Sequence, residues 1–87
     1  KEARRERAAK RAETSILRKS VQDHEERIEA LTTEREIIEM HLADPTVYEG
    51  PTAKVMELQL RHNQIKFEIA EIEEVWIQLT ERLELEN

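Results

Sequence analysis

The chain has no cysteine, one glycine, two prolines, and one each of tryptophan, tyrosine and phenylalanine among its 87 residues. Without cysteine there is neither a disulfide framework nor a thiolate metal site, which fits a reducing compartment. No apolar run approaches the roughly 18 residues a membrane span needs. With aromatics at 3% and charged residues at 39%, the chain is too polar for a thick globular core. That mix suits long helices carrying one apolar stripe. The sequence begins at Lys1 with no signal-peptide pattern, and we read it as a piece of a longer protein. The single glycine rules out a Gly-rich phosphate loop. There is no H-E-x-x-H pair, and Ser15 and Ser20 have no triad partners around them. The carboxylates fall on faces expected to be solvated, where nothing would raise a pKa for acid–base work. The chain is therefore not expected to be an enzyme.

The few helix-breaking residues are gathered in one place. Both prolines, the glycine and the tyrosine lie within HLADPTVYEGP, residues 41–51. Upstream, Leu17, Val21, His24, Ile28, Leu31, Arg35, Ile38 and Leu42 recur at spacings of 4 and 3. Downstream, Val55, Leu58, His62, Ile65, Ile69, Ile72, Trp76, Leu79 and Leu83 do the same. A period of 3.5 is a coiled-coil seam. Two such seams joined by a short stretch of breakers bury each other by folding back. The expected fold is all-α: a two-helix antiparallel coiled-coil hairpin with a short helical turn at its tip. Its arms are 17–43 and 52–86 and its turn is 44–51, so that 17–87 forms the hairpin and 1–16 a basic helical extension. Residue pairs whose numbers total about 96 or 97 should face each other, over a paired length of about 39 Å.

Local chemistry fills in the turn. Asp44 suits an N-cap and Pro45 the first position of a helical turn. Gly50 is expected in the left-handed conformation that ends it, with Thr52 capping the second helix. Val47 and Tyr48 are expected to pack over the end of the seam. Arg35 and His62 share one seam layer, with His24 further along, and His41 beside the turn is expected to be exposed. With no carboxylate or cysteine beside them on the seam, the polar residues read as fixing register rather than holding a metal.

Charge is segregated along the chain. Residues 1–19 carry eight basic and three acidic side chains, the remainder six and seventeen. Upstream of Leu17 the seam register runs through Thr14, Lys10, Arg7 and Ala3, which cannot make an apolar interface. That stretch is rich in good helix formers, and Glu6 with Lys10 would add an i, i+4 pair worth about 0.2–0.5 kcal/mol. The first helix should run on past the end of its partner, with Arg4, Arg11 and Arg18 in one row and Arg7 and Lys10 beside it. Arg4, Arg7, Lys10, Arg11, Arg18 and Lys19 are the candidate nucleic-acid-binding residues, positioned for phosphate contact without base readout.

Leu42-Ala43-Asp44-Pro45 with Tyr48 three residues further on, set between two charged heptad arms, resembles the C-terminal coiled-coil domain of ABC-F ATPases. Trp76, 28 residues after Tyr48, and the Glu/Leu-rich run behind it fit that family, as does ILRKSVQDHEERIEAL over residues 16–31. Ile77 departs from it, since relatives often have Glu there; it adds an apolar residue beside the seam. The resemblance implies a cytoplasmic, membrane-free parent acting on the ribosome or on translation. Its ATP would be held in preceding cassettes, with no cofactor in this fragment and residues 1–16 as the linker from the last cassette. It implies contact with the ribosome, rRNA or DNA, weak and salt-dependent; the chain is expected to be a monomer or weak dimer, and docking of its basic run on the parent's own cassettes goes with the alternative. A structural spacer or protein-binding hairpin with Leu60, Phe67, Val75 and Ile77 exposed is the alternative. A tRNA-binding arm like that of seryl-tRNA synthetase is a third reading, which the turn motif disfavours.

Overall fold

The computed structural model describes residues 1–86. It is a rod of 72 × 17 × 14 Å built from helix α1 (Glu2–Ala43), a 3-10 turn (Pro45–Glu49) and helix α2 (Thr52–Glu86). The two helices run antiparallel, as the cross-arm pairs show. Arg82 reaches Glu13, Arg27 meets Glu68, and Arg61 meets Glu34. His62 meets Glu39, and Thr14 reaches Glu86. The residue numbers of these pairs total 95 to 101, which brackets the expected register.

Every residue of the two expected seams is buried or half-buried. The centre of the core is Leu31, Ile38, Ile65 and Ile69, with Ile28, Leu42, Leu58 and Ile72 packed against it. Leu31 and Ile65 are 1% and 0% exposed. Fully burying a side chain of this size is worth about 1.5–3 kcal/mol. A few such residues therefore supply most of what holds so thin a molecule together.

One flank of the seam carries a ladder of ion pairs. Arg61 holds Glu34 in a two-pronged contact, Nε to Oε2 at 2.6 Å and Nη2 to Oε1 at 2.8 Å. The pair keeps the Glu34 carboxyl below its ordinary range and raises the Arg61 guanidinium, each chiefly through that hydrogen bonding. Arg82 Nη2 donates to Glu13 Oε1 at 2.8 Å. Arg27 lies 3.6 Å from Glu68 Oε2, close enough for attraction but too far for a hydrogen bond to that enclosed oxygen.

The polar seam layer resolves in a way the sequence reading missed. Glu39, next to the seam rather than on it, places Oε1 3.0 Å from His62 Nε2 and 3.7 Å from Arg35 Nε. One carboxylate thus sits between the two polar groups, and a nearby acid is present after all. His24 Nδ1 lies 2.7 Å from the Ser20 carbonyl oxygen, a local contact within α1. His41 is exposed.

At the tip, Asp44 is extended (φ −79°, ψ 118°). Its Oδ1 accepts from Thr46 N at 3.0 Å and from Thr46 Oγ1 at 2.8 Å. The Tyr48 hydroxyl donates to the Leu42 carbonyl at 2.7 Å, satisfying one of the acceptors that a helix end leaves free. Val47 is half-buried, but Tyr48 stays exposed, so the tyrosine ties the turn by its hydroxyl and does not lid the seam. Gly50 is not left-handed: its φ is −89° and its ψ −163°. The following Pro51 disfavours α-region backbone at residue 50 and selects the extended form. Thr52 is the first residue of α2 and not its cap; Lys54 N donates to the Pro51 carbonyl instead.

Candidate nucleic-acid interface

Alanine, arginine, glutamate and lysine fill residues 2–13, and these rank among the best helix formers. The helix therefore persists without a partner. The overhang of α1 beyond the end of α2 is about 18 Å long, from twelve residues at 1.5 Å each. No ion pair joins Glu6 and Lys10 among the described residues. The continuous helix rests on propensity and on the hydrogen bonds of its backbone.

The pairing ends one layer later than the sequence suggested. Thr14 is buried. Its hydroxyl has one proton to give, shared between the Lys10 carbonyl at 2.9 Å and Glu86 Oε2 at 3.3 Å. Glu13 and Arg82 close the same layer from the side. The 3-4 spacing already ran through both positions, Thr14 three before Leu17 and Glu86 three after Leu83. A threonine that bonds back to its own helix needs no apolar partner there, which is why polarity at this position did not end the seam.

Just past that closure, the overhang and the last turn of α2 bound an open groove of about 690 Å³, lined by Arg4, Arg7, Lys10, Arg11, Thr14, Arg18 and Glu86. Five of the six candidate residues thus fall together. Arg7 and Lys10 occupy seam positions whose partners are missing, so their side chains stand where a second helix would otherwise pack. Arg4, Arg11 and Arg18 repeat every seven residues, about 10.5 Å apart along the axis. Arg7 Nε donates to the Ala3 carbonyl at 3.3 Å, holding its guanidinium along the helix. Lys19 is the exception. It pairs with Asp23, Nζ to Oδ1 at 2.7 Å, and that hydrogen bond holds its ammonium above the ordinary lysine range. Its charge is spent within α1 and does not face the groove.

Five cations against the single carboxylate of Glu86 leave the groove with a large positive excess. Phosphates at this spacing would be held by charge, with affinity that falls as salt displaces them. Among the described residues no group of three or more His, Cys, Asp or Glu could hold a metal ion, and no helix is long and apolar enough to cross a membrane.

A family model described as the ABC transporter C-terminal domain matches residues 13–81. The match takes in the hairpin from its closing layer at Glu13 almost to its end, and stops short of the overhang. No curated protein and no solved structure matches the chain.

Proposed function

Because the chain belongs to the ABC transporter C-terminal domain family, we propose that it is the non-catalytic coiled-coil arm of an ABC-F-type ATP-binding protein, whose basic root contacts ribosomal RNA or another nucleic acid. The observation that carries this reading is the groove at the root. Arg4, Arg7, Lys10, Arg11 and Arg18 line it together, the first four on the overhang and Arg18 just inside the paired region, and all five are exposed. ATP belongs to the cassettes of the parent, and the hairpin acts by reach and contact in the cytoplasm. The acidic shaft repels a polyanion, so binding is confined to one end.

Titration of the chain into labelled rRNA and duplex DNA at two salt concentrations tests this. Replacing Arg4, Arg7, Arg11 and Arg18 by Glu should abolish measurable binding. The wild-type affinity should fall by about a hundredfold between 50 and 200 mM salt if four or five phosphates are contacted. Binding that ignores both salt and charge reversal ends the electrostatic reading.

A second reading, a protein-binding spacer, has its own support. A smaller open groove of about 410 Å³ near the tip is lined by Ile38, Leu58 and Leu60 together with Lys54, Glu57 and Arg61. Met56, Leu60 and Phe67 remain exposed along α2. In that case the same four-fold variant would leave partner capture unchanged.

A further inference from the structure

The two flanks of the seam are built differently. The ladder residues Glu13, Arg27 and Glu34 each immediately precede a seam residue of α1, and Arg61, Glu68 and Arg82 do the same in α2. At about 100° per residue, residues that immediately follow a seam position of either kind, such as Arg18 after Leu17 and Gln22 after Val21, turn to the opposite flank on both helices. There α1 presents a continuous surface row at 4-3 spacing, and its charges are sorted by sign. Arg4, Arg11 and Arg18 come first. Gln22 stands in the middle. Glu25, Glu29, Glu36 and Glu39 follow. The intervening Ala8, Ser15 and Thr32 are small. All of these but Thr32 are exposed. Among the described residues only Glu39 of these charges is engaged, by Arg35 and His62.

Such a row is complementary to itself when reversed. Turned end for end about Gln22, it sets Arg18 against Glu25 and Arg4 against Glu39. Arg11 falls opposite Thr32, with Glu29 and Glu36 a turn to either side. Set parallel, it brings arginine onto arginine. The centre carries a second, independent feature. Ile77 is 48% exposed and follows the seam residue Trp76 as Gln22 follows Val21. It therefore lies on the same flank, and the observed cross-arm register places it at the level of residues 18–24 of α1. An apolar side chain exposed at the midpoint of a charge-mirrored row is what a two-fold axis would cover.

We propose that a second copy of this chain packs antiparallel along this flank about a two-fold axis at Gln22, the arginines of each copy meeting the glutamates of the other and the two Ile77 side chains closing the centre. The contact is isologous. It is steered by charge and weakened by salt. It also uses Arg4, Arg11 and Arg18, so the dimer and a polyanion compete for the same row. The inference does not depend on nucleic-acid binding and survives its failure.

Sedimentation equilibrium of the 87-residue chain at about 50 and 500 mM salt reads it out. A concentration-dependent dimer is expected at the lower salt, weakened at the higher. The triple variant Arg4, Arg11, Arg18→Glu and the triple variant Glu25, Glu29, Glu36→Arg should each dimerise about tenfold or more weakly. An equimolar mixture of the two should associate again. All six positions are exposed, and helical circular dichroism checks that each variant folds. Orientation has its own probe, since the chain has no native cysteine. Gln22→Cys should oxidise to a disulfide-linked dimer, whereas Ala8→Cys, with its two copies about 42 Å apart along the axis, should not. A wild-type chain that stays monomeric at low salt, a mixture that fails to associate, or equal cross-linking at both positions would overturn the proposal. The glutamate-to-arginine variant separates it from the nucleic-acid reading, because it removes the dimer while leaving every groove cation in place.

Discussion

The tip half and the root half of the hairpin share one spacing but not one quality of packing. Toward the tip, Leu31, Ile38, Ile65 and Ile69 are all buried and form one contiguous cluster. The turn beyond them is closed by Asp44 and by the Tyr48 hydroxyl, and the flank is held by the two-pronged Arg61–Glu34 contact. Toward the root, Leu17 is buried, but Val21, His24, Trp76 and Leu79 are only half-covered. The indole Nε1 of Trp76 is enclosed and donates to nothing among the described residues. Periodicity therefore decides that the arms pair, while side-chain shape and polarity decide how well each layer closes. Stability concentrates away from the basic overhang, and local opening is cheapest where few buried apolar contacts oppose it. On this fold, that is the end where the cations stand.

The sharpest way to break the comparison is to truncate one layer in each half. Ile65→Ala should lower the unfolding free energy by about 2–5 kcal/mol, the range for a fully buried aliphatic side chain. Leu79→Ala, from a half-covered layer, should cost roughly half as much. Chemical denaturation followed by circular dichroism measures both. Equal losses would mean that the root packs as well as the tip and that the distinction drawn from burial is wrong. Hydrogen exchange on the wild-type chain sharpens the point, with amides around Ile65 expected to outlast those around Leu79.

The hairpin itself was legible because a coiled coil writes its contacts into spacing. The positions from Leu17 to Leu42 and from Val55 to Leu83 named the buried stripe residue by residue. The turn was legible in part. Asp44 and Pro45 act through local backbone chemistry that sequence carries directly, whereas the reading of Gly50 followed the habits of glycine and overlooked the constraint imposed by Pro51. The root was misjudged by one layer because Thr14 was weighed as a polar intruder, when its hydroxyl bonds back to Lys10. Of the basic residues, five line one groove because Arg4, Arg11 and Arg18 share a helical row and Arg7 and Lys10 fill the vacant seam positions beside it. Lys19 fell out because Asp23, one turn on, competes for it. Glu39 was missed because it lies off the seam, and only the rotamers of Arg35 and His62 bring them onto it.

Acid should act on the tip. The Glu34 carboxyl is lowered from an ordinary 4.5, chiefly by the hydrogen bond from Arg61. That of Asp44 is lowered from an ordinary 3.8, chiefly by the Thr46 backbone N–H. A carboxyl whose folded pKa lies below its unfolded one contributes stability above the unfolded value, and loses it as pH falls through the folded value. Stability should therefore hold down to about pH 4.5 and decline below it. Glu34→Gln and Asp44→Asn should each flatten that decline, as followed by thermal melting at a series of acid pH values. Asp44 is exposed and Glu34 only half-buried, so the effect is small beside the loss of Ile65. A decline equally steep in the double variant would place the acid-sensitive contacts elsewhere.

The smallest effect expected is at Trp76, and its sign is informative. The ring covers part of the seam, so Trp76→Ala should destabilise in the manner of Leu79→Ala. Trp76→Phe is different: it keeps an aromatic ring in the layer and removes only the indole nitrogen and the second ring. An enclosed donor without a partner costs about 1–3 kcal/mol, so deleting it offsets the area that the smaller ring gives up. The expected change is within about 1 kcal/mol of zero, and either sign keeps the root's weakness assigned to that unsatisfied group. A loss as large as that of Trp76→Ala would assign it instead to ring volume. The root would then be a layer that needs its bulk, no looser in kind than the cluster around Ile65.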